Sequence, residues 1–319
     1  MIIVHKDFNE LFKLDNLLNS WRIFRRGKTK KTDVQSFERH LEDNLFDLHE
    51  ELQSDKYKHR AYKFFRVFDS KRRDIHVAEI RDRIIHRLIY DYLVGIYEPL
   101  FIANSYSSRV NKGSHLAIQT FRYFTKIVLA ENSGRCFVLK CDIKKYFNSI
   151  NPDILFLLLK KQIKDKKILK IAEEIIYSFK AGVPLGNVTS QIFANIYLHD
   201  FDLYIKNTLK IRFYIRYNDD FVILDNNSEQ LSLFLSKIKA YLKENCLLEI
   251  PEHKASIRKL QWGIDFLGYT ILPQAILLRN KTKAKMFANA SEENVSSYLG
   301  LLKHCNSFNL RQKLKSVII

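Results

Sequence analysis

Two short apolar runs that end in acids constrain this chain more than any other feature. Phe137-Val-Leu-Lys-Cys-Asp142 reads as a buried strand closing on a carboxylate. Residues 211–224 hold Arg-Phe-Tyr-Ile-Arg-Tyr, then Asn218-Asp219-Asp220, then Phe-Val-Ile-Leu. Asn and Asp suit tight turns, so this stretch reads as a β-hairpin with acids at its tip. Two acids in such a turn are ordinarily solvated turn formers. Here the flanks are apolar enough for a sheet packed on a core. Laid side by side, the two runs gather Asp142, Asp219 and Asp220. Gathered carboxylates repel one another and are costly to bury without a cation. Mg²⁺ resolves the conflict, because it takes oxygen ligands and keeps its other positions for water and phosphates. Two such ions about 4 Å apart can activate an attacking 3′-hydroxyl and stabilise a leaving pyrophosphate.

The rest of the composition fits a folded chain that meets a polyanion. Of 319 residues, 46% are hydrophobic, with 23 Phe and 16 Tyr, which disordered chains avoid. Only 9 Gly and 5 Pro rule out collagen-like and low-complexity readings. Lys and Arg number 53 against 35 Asp and Glu, a net charge of +18. A globular chain this basic attracts RNA, DNA or an anionic surface. Cys136, Cys141, Cys246 and Cys305 form no Cys-x-x-Cys pair, which argues against a disulfide scaffold or a Cys-rich zinc site. No His-Glu-x-x-His pattern occurs. The apolar run Ile154 to Leu159 is far short of the roughly 18 residues of a membrane span. Met1 to Val4 is too short for a signal peptide. The setting expected is reducing and cytoplasmic, without a membrane.

Along the chain, residues 1–60 read as helices broken by the basic stretch Gly27 to Lys31. Tyr62 to Val67 is aromatic and basic, and Ile75 and Val77 suggest a strand. Helical spacing returns at Ile80 to Ile89, followed by a long polar loop, Asn104 to Ser114. Asn151-Pro152-Asp153 is a helix start, and 154–180 reads as helical. Gly182-Val-Pro-Leu-Gly186 is a turn feeding a helix from Thr189 to Tyr204. A further helix is expected near 228–244, and short strands around Gly268. Residues 271–319 carry eight basic and two acidic side chains, and read as a helical appendage on nucleic acid.

Several motifs, taken together, resemble one family. Tyr217-Asn218-Asp219-Asp220 resembles the Tyr-x-Asp-Asp motif of reverse transcriptases. Phe137 to Phe147, with Asp-Ile-Lys-Lys-Tyr-Phe at its end, resembles their first catalytic-aspartate motif. Phe266-Leu267-Gly268-Tyr269 resembles their primer-grip hairpin. The resemblance runs from about residue 60 to 310. Most of the family carries Gln-Gly-x-x-x-Ser-Pro where this chain has Leu185-Gly186-Asn187-Val188-Thr189-Ser190-Gln191. That departure, and residues 182–198 as a whole, resemble the diversity-generating retroelement reverse transcriptases. Ser105 to Arg109, Lys112-Gly113 and Ser297 to Gly300 are similar to the same group.

The resemblance implies an α+β right-hand polymerase with fingers, an antiparallel-sheet palm and a short helical thumb. It implies an N-terminal helical extension at 1–60, fingers at 61–135, palm at 136–270 and a basic thumb at 271–319. Asp142, Asp219 and Asp220, with the Ile143 carbonyl, would hold two Mg²⁺ ions, for which Mn²⁺ could substitute. Phe147 matches the steric-gate position, where a ring would clash with a ribose 2′-hydroxyl and favour dNTPs. Arg73, Lys71 and Arg66 resemble the bases that hold the triphosphate, a task suited to guanidinium donors. Leu185, Gly186 and Gln191 would border the incoming nucleotide. Lys254 would protonate the leaving pyrophosphate, as a tuned lysine can.

An aliphatic Leu185 cannot make the hydrogen bond of the usual Gln. Losing one positioned bond is worth about 1 kcal/mol, roughly fivefold in discrimination, so lowered fidelity is expected. The resemblance implies further that a template-repeat RNA is copied into cDNA with errors at template adenines. The partners implied are template RNA, primer and cDNA, dNTPs, and a small basic accessory protein forming a multimeric helical barrel. Alternatives are a retron or phage-defence reverse transcriptase, which more usually shows Ser-Pro, and an inactive RNA-binding protein on the same fold. No maturase or His-Asn-His endonuclease segment is recognised following the thumb, so intron mobility is not expected.

Overall fold

The computed structural model describes residues 7–68 and 72–316 and resolves them into two compact units of discontinuous chain. The first takes the chain up to Ile102 with Lys144–Leu203 and Tyr241–Leu248. The second takes Ala103–Ile143, Tyr204–Ala240 and the chain from Glu249 onward. The architecture is α+β, with helices and antiparallel sheets. Among the described residues no helix is long and apolar enough to cross a membrane.

Helices dominate the first unit, and their apolar residues recur at the spacing a one-sided helix requires. Leu17 and Trp21 on the helix Leu14–Arg25 are buried, as are Leu45, Leu48 and Leu52 on the helix Leu41–Gln53. Both helices pack on the helix Ile80–Tyr97, whose Ile84, Ile85, Leu88 and Ile89 fill the core. Arg81 on this helix forks onto the Glu51 carboxylate, and Asp82 accepts from the Tyr57 hydroxyl at 2.9 Å. The helix Val188–Tyr197 is buried on nearly every side, and its Thr189 hydroxyl meets His86 Nδ1 at 2.6 Å. Burial holds that imidazole well below its ordinary pKa.

The stretch 154–180 is two helices rather than one, Pro152–Gln162 and Lys166–Tyr177. Asn151 caps the first through the Ile154 amide at 3.0 Å. Asp165 caps the second through the Lys167 and Ile168 amides, a break that continuous apolar periodicity concealed. Likewise the helix expected to run to Tyr204 ends at Tyr197, and the chain restarts in His199–Leu203. The unit also carries an antiparallel ribbon of β1 (Lys63–Phe68) and β2 (Arg72–Val77), in which Lys63 faces Val77 and Val67 faces Arg73. All of β1 is exposed.

In the second unit, β3 (Phe137–Asp142), β4 (Tyr214–Tyr217), β5 (Asp220–Asp225) and β6 (Ala255–Lys259) form one antiparallel sheet in the order β4-β5-β3-β6. Apolar, β-branched and aromatic residues make most of β3, β4 and β5, as their burial demands, whereas the edge strand β6 is Ala-Ser-Ile-Arg-Lys and at most half-buried. The helix Ser114–Glu131 packs on this sheet. Its Ala117, Ile118 and Phe121 share one core with Val138, Ile215, Val222 and Leu224. That core continues into a three-stranded sheet of β7 (Ile264–Phe266), β8 (Tyr269–Ile271) and β9 (Ile276–Leu278), and into the helices Asn280–Asn289, Val295–Leu302 and Phe308–Ser316. The C-terminal appendage is therefore helical except for β9, which completes the small sheet.

The polar loop after Ile102 is not merely a loop. Arg216 donates its backbone amide to Asn104 O at 2.9 Å, and its carbonyl accepts from the Tyr106 amide at 3.0 Å, so the segment lines the open edge of β4. Arg216 itself is fully buried. Its guanidinium donates to Ser105 Oγ at 3.1 Å and to Asn218 O at 3.2 Å, tying that edge to the acidic hairpin tip. Arg216→Met is expected to cost about 2–3 kcal/mol, because buried acceptors lose a charged donor. Arg212→Met breaks an exposed 3.0 Å pair with Glu131 and an exposed cation–π contact with Phe213 at 4.6 Å, and should cost about 1 kcal/mol. Urea midpoints of the two variants check this, and equal values would sink it.

Candidate active site

Strand register builds the site in the second unit. Asp142 and Asp220 are direct cross-strand partners at the same end of β3 and β5, and Tyr217 pairs with Asp220 across the hairpin. Asn218 and Asp219 form the two-residue tip. Asn218 sits at φ +58°, a left-handed conformation that Asn tolerates and β-branched residues resist. The Ile143 amide donates to Asp219 O at 3.2 Å, which holds the tip against the end of β3. The three acids expected from the sequence therefore share one strand end.

Their electrostatics are unfavourable without a cation. Burial first, then the negative charges of Asp220 and Asp142, push the Asp219 carboxyl up from 3.8 to about 6. Lys254, just before β6, forms an ion pair with Asp142 and donates to Ile143 O at 3.4 Å. An ammonium is thus already cradled by a carboxylate and a backbone carbonyl. Among the described residues, no three His, Cys, Asp or Glu side chains converge closely enough to hold an ion by themselves. The donor set is nevertheless all oxygen, which fits a hard divalent ion that keeps water and phosphate ligands.

The other sequence candidates fall elsewhere. Phe147, Leu185, Gly186, Gln191, Arg66 and Arg73 all belong to the first unit, whereas the acids and Lys254 belong to the second. Within the first unit, Phe147 and the 182–186 turn are held together by a Val183 amide bond to Phe147 O at 2.8 Å. Leu185 O accepts from the His76 amide at 2.9 Å, which seats the turn on β2. Gly186 packs so closely there that a Cβ would lie 2.9 Å from Ile75 Cγ2. Gln191 is exposed. Arg66 and Arg73 lie on opposite faces of the ribbon by strand parity, and Arg66 is paired with Asp74 at 3.3 Å. Lys71 lies outside the described residues.

The expected primer-grip hairpin is β7 and β8. Leu267 at φ +47° and Gly268 at φ +88° make its turn, while Phe266 and Tyr269 are core side chains. Tyr269 is anchored further by its hydroxyl on Leu301 O at 3.0 Å.

Three residues support these elements: Arg216 and Lys140, which carry no distinctive sequence signal, and Asn187 of the 185–191 motif. Arg216 braces the hairpin tip. Lys140 reaches from β3 to Asp265 O at 2.7 Å. Asn187 joins the Gly turn to β2 by accepting from the Ala78 amide at 3.1 Å and donating to His76 O at 2.8 Å.

An antiparallel sheet that gathers acids at one strand end, backed by helices, is the α+β fold of a nucleic-acid polymerase. The same fold occurs in the telomerase of Candida tropicalis solved with a telomeric RNA fragment, at TM-score 0.58 and 13% identity, over 85% of this chain and 56% of that one. The Candida albicans telomerase structure matches at TM-score 0.53, also at 13% identity, over 76% and 53%. In sequence, residues 58–271 match the reverse transcriptase (RNA-dependent DNA polymerase) family, and the chain belongs to that family. Similar curated proteins include the group II intron-encoded protein LtrA of Lactococcus lactis subsp. cremoris, 27% identical over 60% of this chain and 33% of its own length. Protein YkfC of Escherichia coli is 25% identical over 64% of each. A 91 kDa protein encoded in a cob intron of Schizosaccharomyces pombe is 32% identical over 43% of this chain. The chain spans between 17% and 64% of the length of these three relatives.

Proposed function

We propose that the chain is an RNA-directed DNA polymerase working by nucleotidyl transfer at Asp142, Asp219 and Asp220. The observation that carries the proposal is the register of Asp142 with Asp220, beside an Asp219 whose charge is disfavoured until a cation arrives. Divalent ions, Mg²⁺ or in its place Mn²⁺, would be held by the three carboxylates and Ile143 O, and supply Lewis-acid stabilisation of the phosphate charge. Lys254 would then leave Asp142 and be free to give a proton to the departing pyrophosphate. The 3′-hydroxyl would give up its proton to water as its oxygen attacks the α-phosphorus and the bond to pyrophosphate breaks. Residues 136–270 would act as palm, 61–135 as fingers, 271–319 as thumb and 1–60 as an extension. Phe147 would exclude ribonucleotides, Arg73 would take the triphosphate, and Leu267 with Gly268 would meet the primer.

The finer reading is a diversity-generating retroelement enzyme that copies a template-repeat RNA with errors at adenines, assisted by a small basic accessory protein. It is supported by Leu185 in place of Gln and by the resemblance of 182–198. Purified protein with a primed RNA template, Mg²⁺ and dNTPs should make cDNA, and an Asp219→Ala, Asp220→Ala variant should not. Sequencing should find errors concentrated at template adenines. Accurate cDNA would remove the mutagenic reading and keep the polymerase. No cDNA, with accessory protein and cognate RNA supplied, would remove both.

A further inference from the structure

Lys140 stands two residues before Asp142 on the same face of β3, so about 7 Å of extended strand separates them. Its cross-strand partners are Val222 on β5 and Ser256 on β6. The side chain is half-buried, and its ammonium donates to the backbone carbonyl of Asp265 at 2.7 Å. A neutral donor would satisfy that carbonyl at a smaller desolvation cost. What the ammonium adds is a strong bond with a preferred length.

Asp265 is the point where several elements of the second unit are joined. Thr270, its partner across the β7–β8 hairpin, donates its hydroxyl to Asp265 Oδ1 at 2.6 Å. Arg279 Nε pairs with Asp265 Oδ2 at 2.8 Å. The Arg279 amide also donates to Gly268 O at 3.0 Å, immediately before the helix Asn280–Asn289. The Leu267–Gly268 turn is therefore held at two points. Asp265, two residues before Leu267, is tied to the strand that ends in Asp142, and Gly268 is tied to the start of the C-terminal helices. Phe266 and Tyr269 bury the hairpin in the core, but apolar packing is non-directional and leaves sliding along β3 weakly opposed. The Lys140 bond supplies the missing direction.

We propose that Lys140 is a positioning residue, which sets the distance between the Leu267–Gly268 turn and the acid end of β3. It thereby sets where a primer 3′-hydroxyl stands against Asp142, Asp219 and Asp220. This role rests on the polymerase reading above and adds to it a residue outside the acid cluster. Without the bond, primer and dNTP still bind, but the 3′-hydroxyl is held less accurately against the α-phosphorus. A misplacement of about 1 Å can cost on the order of a hundredfold in rate.

Single-turnover extension by one dNTP, with the full chain in excess over a primed RNA template and Mg²⁺ present, separates placement from folding. Loss of folded protein raises the protein concentration needed for half-maximal rate and leaves the saturating rate constant unchanged. Misplacement lowers the saturating rate constant. Lys140→Met keeps the length of the side chain without its donor, and should lower that constant about tenfold or more, with the half-saturating dNTP concentration changed less than about twofold. Lys140→Gln, whose amide is too short to span the same gap, should lose about as much. Lys140→Arg keeps a charged donor of similar reach and should stay within about threefold of the unaltered protein. Lys126→Met removes the same charge from an exposed position on the helix Ser114–Glu131, and should stay within about twofold. An unchanged saturating rate constant in Lys140→Met and Lys140→Gln, an equal loss in Lys140→Arg, or an equal loss in Lys126→Met would overturn the role of Lys140 while leaving the polymerase reading intact. No product from the unaltered protein would remove both.

Discussion

Asp219→Asn is expected to remove cDNA synthesis by about a thousandfold or more, and at the same time to stabilise the metal-free protein. The two effects have one cause. Asp219 is placed where burial and two like charges oppose its ionisation, which lifts its pKa from 3.8 to about 6. A carboxyl whose folded pKa exceeds its unfolded value destabilises the folded state. The penalty is absent below pH 3.8, grows between 3.8 and 6, and is complete above 6. Near pH 8 an uncharged amide should therefore raise stability by on the order of 2 kcal/mol. The gain should disappear as the pH is lowered to about 4. Addition of Mg²⁺ should stabilise the unaltered protein and leave the variant little changed, because ligand-linked stability follows affinity. Urea midpoints in EDTA and in Mg²⁺, at both pH values, separate these effects. A variant less stable than the parent in EDTA at pH 8 would show that Asp219 is held by favourable contacts rather than poised for a cation.

What could be read from the sequence follows from what each residue does in the fold. β3 and the β4–β5 hairpin announce themselves because strands buried in a sheet must be continuously apolar, and their acids stand out against that background. The pairing of Asp142 with Asp220 follows from antiparallel geometry once the strands are found. Arg216 could not be found in this way. An arginine in a strand is ordinarily a surface residue, and only the polar segment at 104–106, itself without strand pattern, makes burial of this one possible.

The ribbon shows the opposite difficulty. With every β1 residue exposed, no apolar alternation marks its faces, so Arg66 and Arg73 look equivalent in sequence yet lie on opposite sides. Phe266 and Tyr269 belong to the segment that resembles a primer grip, and in the small sheet both are core side chains, which their motif alone does not reveal.

Gly182→Ala should be the most damaging single methyl group that can be added to the first unit, costing about 3 kcal/mol or more. Gly182 is at φ +71°, and a Cβ built there would lie 2.1 Å from Phe147 O and 2.6 Å from Asn148 Cα. Those atoms are backbone, so no side-chain rotation can relieve the clash. They are also held in place, because Phe147 O accepts the Val183 amide at 2.8 Å. The turn can make room only by giving up that bond, and with it the seating of Leu185 on β2. Gly27 is a fair control, since its φ of +70° is nearly the same but nothing lies within 4 Å of a built Cβ. Gly27→Ala should therefore cost only the left-handed strain of about 1 kcal/mol. For a chain of this size the difference of about 2 kcal/mol corresponds to a melting temperature lower by about 3 °C or more for Gly182→Ala. The same displacement shifts Phe147 relative to Leu185, so whatever polymerase activity survives should admit ribonucleotides more readily. Equal melting temperatures for the two variants would refute the claim that this contact fixes the turn. A less stable Gly182→Ala protein with unchanged dNTP selectivity would leave the contact in place and remove Phe147 from the discrimination of sugars.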